Sequence, residues 1–316
     1  MLKERNKYII GSRGSKLALI QANWIKSQLE DSNEEIEFSI EIIKTTGDKI
    51  TDVPLSKIGN IGLFTKELEN ALIDKKVDLV VHSAKDMPTE IPERLEIGAV
   101  TKREDPHDVL ISKDHVSLKN LPQNAKLGTS SLRRKSQVLA VRPDLEIVDL
   151  RGNLDTRLNK LDSGDLDAIL VARAGLIRLG LADKASEIIP YDIMLPAVGQ
   201  GALCIEVREN DEKVKSIIRS LIDYNSMFEV KAERALLGRL QGGCQIPIGA
   251  HAEVVYPSNL KMEAVVCSLD GTTVIRDTID GKVDDFSTMG VELASKLLGR
   301  GGLQILEEIR ATLGEE

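Results

Sequence analysis

Val77-Asp78-Leu79-Val80-Val81-His82, running directly into Ser83-Ala84-Lys85-Asp86-Met87-Pro88, sets the plan of this chain. An apolar, β-branched run that ends in small and charged residues reads as a buried strand, and the residues after it emerge at its carboxyl end. The same grammar recurs along the first two-thirds. Strands are expected at 8–10, 38–43, 95–100, 146–150, 168–172 and 202–207, and helix patterns at 64–73, 132–141 and 154–161. Alternating strands and helices predict α/β domains with mainly parallel sheets, and ligands then sit at the carboxyl ends of strands.

Chemistry-bearing residues collect at those ends. Ser83, Lys85 and Asp86 leave the first strand. Leu127-Gly128 leads into Thr129-Ser130-Ser131-Leu132-Arg133-Arg134, where the hydroxyls can cap a new helix whose free N–H groups attract anions. Arg151-Gly152-Asn153 comes directly after Leu150, and Arg173 directly after Ala172. Net charge is -8, which argues against a general nucleic-acid surface, as do 3% aromatics. Residues 126–178 nevertheless hold ten basic against seven acidic side chains, seven of the ten being Arg. The planar guanidinium fork suits carboxylate or phosphate, so the segment suits an enclosed anion site as well as it suits an ordinary ion-paired helix face.

A length of 316 residues predicts two or three domains. The stretches 101–108 and 191–201 look like paired crossings between a discontinuous first domain and an inserted second one, a layout suited to hinge closure. From about residue 225 the pattern changes to a helix, strands at 250–256, 261–268 and 273–278, and helices at 286–298 and 303–313, which reads as a small α+β domain. Residues 49–62 are rich in Gly and Pro and suit either a lid or a surface loop. No apolar run approaches the roughly 18 residues needed to span a bilayer, and residues 1–10 lack the apolar core of a secretory leader, so a soluble, cytoplasmic protein is expected.

Three cysteines without a C-x-x-C pair offer neither a disulfide framework nor a thiolate zinc site. Cys204 and Cys267 lie in apolar strand-like runs, where a free Cys acts as a small core side chain. Cys244 is different. It sits in Gly242-Gly243-Cys244-Gln245-Ile246-Pro247-Ile248-Gly249, a turn whose glycines and proline can hold a thiol open for chemistry or tuck a small side chain away. The four histidines (His82, His107, His115, His251) have no metal-ligand spacing, and no Gly-rich phosphate signature is present.

Eight stretches, in order from about residue 10 to 250, carry a resemblance: Arg13-x-Ser15-x-Leu17-Ala18, Thr45-x-Gly47-Asp48, Gly62-Leu63-Phe64-Thr65-Lys66-Glu67-Leu68-Glu69, His82 to Pro88, Gly128 to Arg134, Arg151-Gly152-Asn153, Leu195-Pro196-Ala197-Val198-Gly199-Gln200-Gly201-Ala202, and the Cys244 loop. Together they resemble the porphobilinogen deaminase (hydroxymethylbilane synthase) family. The chain departs from it at His107, where many members carry Arg, and past about residue 257 the match is only of length and pattern.

The resemblance implies two type II periplasmic-binding-protein-like α/β domains with a hinge and a small C-terminal α+β domain: 1–101 with 200–220, 106–195, and 224–316. It implies a transferase of tetrapyrrole and haem biosynthesis that deaminates four porphobilinogens and condenses them on a covalent dipyrromethane, releasing linear hydroxymethylbilane. Cys244 is then the thioether anchor and Asp86 the catalytic carboxylate. Ser83, Lys85, Asp86, Thr129, Ser130, Ser131, Arg133, Arg134, Arg151 and Gly152 are expected at the cofactor. Arg13, Ser15, Lys57, Phe64, Arg151, Arg157, Arg178 and Gln200 are expected at the substrate. No metal, membrane or nucleic-acid partner is implied, and a monomer suffices. The rival from another class is a hinge-type anion-binding protein without catalysis, which would share the arginines but has no need of Cys244.

Overall fold

The computed structural model of the chain describes residues 5–49, 64–241 and 246–313. Cys244, Lys57 and most of the loop 49–62 therefore lie outside the described residues. The chain divides into two compact units: 1–50 with 61–103 and 202–227, and 51–60 with 104–201 and 228–316. Two of the unit boundaries fall inside or beside the paired crossings expected at 101–108 and 191–201.

The first unit begins with β1 (Lys7–Ser12), α1 (Lys16–Ser32), β2 (Glu37–Ile42), α2 (Thr46–Lys49), α3 (Lys66–Ile73), β3 (Leu79–Ser83) and β4 (Leu95–Val100). In α1 the fully or nearly buried side chains are Gln21, Ala22, Ile25 and Leu29, the one-face spacing of an amphipathic helix, and Ser15 caps its first turn by accepting from Ala18 N–H. The sheet order is β2-β1-β3-β10-β4, where β10 (Leu203–Arg208) is the strand that returns after the second unit. β1 is parallel to β2 and β3, whereas β10 is antiparallel to β3 and β4. α7 (Glu212–Ile218) then closes one face, packing Val214, Ile217 and Ile218 into one core with Ile10, Ile25 and Ile205.

The second unit carries β5 (Asp108–Ser112), β6 (Lys126–Gly128), α4 (Leu132–Val141), β7 (Glu146–Val148), α5 (Leu154–Asp162), β8 (Ala168–Ala172), α6 (Arg173–Arg178) and β9 (Glu187–Ile188). Its order is β7-β6-β8-β5-β9, with β5 antiparallel to β8 and β9. Both five-stranded sheets thus have three parallel strands, then an antiparallel strand supplied by a crossing, then an edge strand. The shared order fits two like α/β domains on the type II binding-protein plan. The expectation of mainly parallel sheets is corrected by these crossing strands. Each enters from the other unit, so it runs against strands that are linked by helical crossovers. β5 was hidden because it is entirely buried and its run is prefaced by the charged stretch before Asp108.

The remainder is α8 (Tyr224–Arg239), the antiparallel sheet β11 (Ile248–Val255), β12 (Asn259–Cys267) and β13 (Val274–Lys282), then α9 (Phe286–Leu297) and α10 (Leu303–Leu313). This is the α+β pattern read from the sequence, with its own core of Leu236, Met262, Leu293 and Leu306 among others. It belongs with residues 104–201 in one unit, and specific ties show why. Glu233, fully buried on α8, accepts from Gly199 N–H at 2.6 Å and Ala252 N–H at 2.8 Å. Arg276 donates to the carbonyls of Tyr191 and Asp192. The turn at Gly271 lies so close to α4 that an added Cβ would stand 2.5 Å from the Ser136 carbonyl oxygen.

Candidate active site

In the first unit, β3 ends at Ser83 and turns through a single 3-10 turn, Ala84–Asp86. The turn delivers Asp86 to a cleft that is also lined by Arg13, Ser15, Gln21, Phe64, His82 and Ser83. The Arg13 guanidinium stacks on the Phe64 ring, 4.1 Å from its centroid, which orients the fork. Gln21 Nε2 lies 3.2 Å from Ser83 Oγ and fixes that hydroxyl from α1. Lys85 belongs to the same turn but is not among the side chains that line the cleft.

The floor behind this cleft is polar. His82 Nε2 lies 3.0 Å from Glu206 Oε2 on the neighbouring β10, both side chains nearly or fully buried. Glu69 of α3 is 6% exposed, and its carboxyl is pushed up, first by burial and then by Glu206, with the Thr65 and His82 side chains pulling the other way.

In the second unit the carboxyl ends of adjacent β6, β7 and β8 deliver Thr129–Ser131, Arg151-Gly152 and the start of α6. Ser131 caps α4 by accepting from Arg134 N–H, and Ser130 Oγ donates to Leu150 O at 2.7 Å, tying two of these ends together. Gly152 has φ +106, and an added Cβ would meet Thr156 at 2.8 Å, so this turn requires glycine. Arg157 Nε donates back to Gly152 O. Arg151 Nη1 is buried and has no hydrogen-bond partner among the described residues. A buried guanidinium N–H without an acceptor costs about 1–3 kcal/mol, and its position among hydroxyls and another arginine is one that a ligand carboxylate would complete.

Arg133 and Arg134 are less open than their sequence suggests. Asp108, fully buried at the start of β5, accepts from Arg133 Nη1 at 2.5 Å and from Arg134 Nε and Nη2 at 2.9 and 2.7 Å. Arg133 also donates to Leu195 O and Arg134 to Leu170 O. Gln200 Nε2 reaches Asp108 Oδ1 at 3.0 Å and Pro106 O at 2.7 Å, so this expected substrate contact is engaged in stitching the two crossing segments to α4. Burial works against the Asp108 charge, and the two arginines overcome it, holding the carboxyl far below the usual range. Arg178 donates to Gly201 O at 2.6 Å; burial lowers its guanidinium to about 10, with Glu104 opposing.

The structure thus gathers Arg13, Ser15, Phe64, Ser83 and Asp86 in one cleft and Thr129, Ser130, Ser131, Arg151, Gly152 and Arg157 at one set of strand ends. Sequence reasoning missed Gln21, Asp108, Glu69 and Glu206. Each is a polar residue inside an apolar helix face or strand, which is a signal only once its distant partner is known. Among the described residues, no cluster of His, Cys, Asp and Glu could hold a metal ion, and no helix is long and apolar enough to cross a membrane.

Comparison with known proteins agrees with this chemistry. Residues 8–216 match the family described as porphobilinogen deaminase, dipyromethane cofactor binding domain, and residues 227–299 match the porphobilinogen deaminase C-terminal domain. The chain is 50% identical over 307 residues to the porphobilinogen deaminase of Desulforamulus reducens, covering 97% of this chain and 99% of that one. It is 51% identical over 312 residues to that of Chlorobium phaeobacteroides, covering 98% and 99%. Solved structures are similar at a much lower level. The periplasmic VFT2 domain of Bordetella pertussis BvgS is 12% identical with a TM-score of 0.39, over 68% of this chain and 85% of that one. An ancestral arginine-binding protein is 13% identical with a TM-score of 0.34, over 69% and 91%. Identity near one-half along essentially the whole length of both chains, on top of two matching domains, leaves one conclusion: the chain belongs to the porphobilinogen deaminase family.

Proposed function

We propose that Asp86 is the carboxylate at which this chain deaminates and condenses porphobilinogen, and that Cys244 carries the dipyrromethane as a thioether. The observation that supports the reading is the shared cleft: one carboxylate stands beside Arg13, Ser15 and Ser83, groups that suit anionic side chains. Each porphobilinogen brings an acetate and a propionate. Arg13 and Ser15 can pair with these and fix the ring, which turns an encounter in solution into a positioned reaction. When the aminomethyl C–N bond breaks, the electron pair leaves with nitrogen as ammonia and positive charge spreads over the pyrrole. Asp86 can accept the pyrrole N–H and stabilise that charge as it develops.

In the second unit, Arg151, Arg157, Thr129, Ser130 and Ser131 would hold the carboxylates of the dipyrromethane, with Arg133 and Arg134 supplying positive charge from behind the Asp108 cluster. When bound, the dipyrromethane supplies the anchored pyrrole from which the chain grows. We assign three domains, 1–101 with 200–220, 106–195 and 224–316, and a cytoplasmic monomer that engages no nucleic acid.

Intact-mass measurement tests the reading. The purified wild-type chain and the Cys204→Ser and Cys267→Ser variants should carry an adduct of two linked pyrroles, and Cys244→Ser should not. An adduct that survives in Cys244→Ser overturns the anchor. An unmodified wild-type chain that binds porphobilinogen without consuming it favours the hinge-type binding protein.

A further inference from the structure

The cluster behind the Asp86 cleft has no role in the chemistry described so far. His82 lies on β3 and Glu206 on β10, and the register pairs His82 with Cys204 and Val80 with Glu206. The two side chains are therefore diagonal neighbours on one face of the sheet. β10 also has a register irregularity between Ile205 and Glu206 where it meets β4, a local feature that re-aims side chains. Helix α3 packs on these strands and brings Glu69 close enough to interact electrostatically with both. The result is an imidazole and two carboxyl groups, each at least nine-tenths buried.

Stability does not account for the cluster. Glu206 Oε1 and Glu69 Oε1 are buried without a hydrogen-bond donor among the described residues. Replacing a buried polar pair as a whole by apolar residues of similar volume is often neutral or stabilising, so the presence of this cluster inside the cleft wall points to use. The arrangement is directional. His82 gives its Nε2 side to Glu206, its Nδ1 makes no hydrogen bond among the described residues, and the ring lines the cleft shared with Asp86. An imidazole backed by a buried carboxylate is a group built to accept and return a proton. Burial and the neighbouring Glu206 both raise the Glu69 carboxyl, so a second negative charge beside Glu206 is disfavoured. Among the charged groups near the cluster, Glu67 of α3 acts on Glu69, and Arg13 and Asp86 line the cleft that His82 also lines.

We propose that His82, backed by Glu206 and Glu69, is a second proton-handling group of this cleft, which holds the proton released at carbon during each condensation. The proposal rests on the porphobilinogen reading above. In each cycle the aminomethyl C–N bond breaks with its electron pair on nitrogen, a C–C bond forms to the methylene carbon, and the attacking ring carbon loses one proton. The departing ammonia takes up one proton. Nothing is oxidised or reduced, and a carrier has only to hold one proton between those two events. His82 accepts it, Glu206 meets the charge on the imidazolium, and the proton then passes to solvent or to the leaving nitrogen of the next porphobilinogen.

Three variants test this: His82→Gln, which keeps a hydrogen-bonding partner for Glu206 but cannot titrate, Glu206→Gln and Glu69→Gln. Each is checked for the mass adduct, so that only loaded protein is compared. Glu69→Gln should melt at or above the wild-type temperature, because an uncompensated buried acid has been removed. Single-turnover condensation should nevertheless fall by roughly 10²-fold in His82→Gln and Glu206→Gln, with a flattened pH profile. Wild-type rates and pH profile in His82→Gln and Glu206→Gln overturn the relay. A wild-type chain that consumes no porphobilinogen sinks the functional reading and the relay with it, whereas an active wild type with unaffected variants sinks the relay alone.

Discussion

At the scale of the residue, Asp86 and Asp108 show two uses of a carboxylate. Asp86 is partly exposed in a cleft of anion-binding groups, and its proposed work is to meet a transient cation. Asp86→Asn keeps the size and removes the charge, so the single-turnover rate should fall by roughly 10² or more, by analogy with deleting one preorganised catalytic partner. A near wild-type rate would return Asp86 to a structural role in the turn. Asp108 is buried and spent on Arg133 and Arg134. Its folded-state titration is depressed, so its stabilisation is complete above the unfolded value of about 4 and fades as pH falls below it. Asp108→Asn leaves two guanidinium groups uncompensated and should cost about 3–5 kcal/mol near neutral pH. Urea titrations at a series of pH values should then show the variant losing less further stability than wild type between about pH 4 and 2. The first of these aspartates was legible in the sequence because its meaning is local, a charged residue at a strand's end. The second was not, because Asp108 acquires its meaning from Arg134, 26 residues away, just as His82 does from Glu206, 124 residues away.

At the scale of the element, the strand and helix spans were readable wherever an apolar run ended in small or polar residues, and strand direction was not. β10 reads like any other buried strand, and only the path of the chain through the second unit makes it antiparallel. Contacts between elements were equally invisible. The β12–β13 turn places Gly271 at φ +75 with a would-be Cβ 2.6 Å from Ala140 N and 2.5 Å from the Ser136 carbonyl oxygen, so Gly271→Ala is both strained and obstructed. It should destabilise by about 1–3 kcal/mol, because the obstacle is helix backbone that cannot step aside. Gly164→Ala is the control: its φ is +93 but nothing among the described residues lies within 4 Å, so only the backbone cost, about 1–2 kcal/mol, should appear in a denaturant titration. The same contact region buries Cys267, whose thiol is pushed up to about 11 by desolvation, with Ser136 and Arg276 opposing. Iodoacetamide at about pH 8 should leave Cys267 unmodified in the folded chain and alkylate it after unfolding, since the thiolate is the reactive form.

At the scale of the whole molecule, charge is distributed against its own total. The chain is acidic overall, yet residues 126–178 are basic; Asp108 offsets only part of the charge of Arg133 and Arg134, while Arg151 keeps a buried N–H without an acceptor. The composition alone made the excess of arginine visible. Which arginines are already satisfied within the protein required the fold. A set of partly uncompensated guanidinium groups repels itself until anions arrive, and a dipyrromethane made from two porphobilinogens would bring four carboxylates. Each charge-assisted hydrogen bond is worth about 1.5–3 kcal/mol. At about 2–4 °C per kcal/mol for a domain of this size, two such bonds correspond to a melting temperature about 6–24 °C higher in the loaded wild type than in Cys244→Ser. Screening gives the prediction its edge. At 1 M salt the Debye length falls to about 3 Å, so repulsion among the part-exposed guanidinium groups is screened, that of the buried Arg133 and Arg134 much less, and the unloaded chain should recover more than the loaded one. The gap in melting temperature should therefore narrow as salt rises, more so with phosphate, which can also occupy the guanidinium forks. Equal melting temperatures for loaded wild type and Cys244→Ser at low salt, or a gap indifferent to salt, would mean that the arginines of 126–178 are not what holds the anionic group.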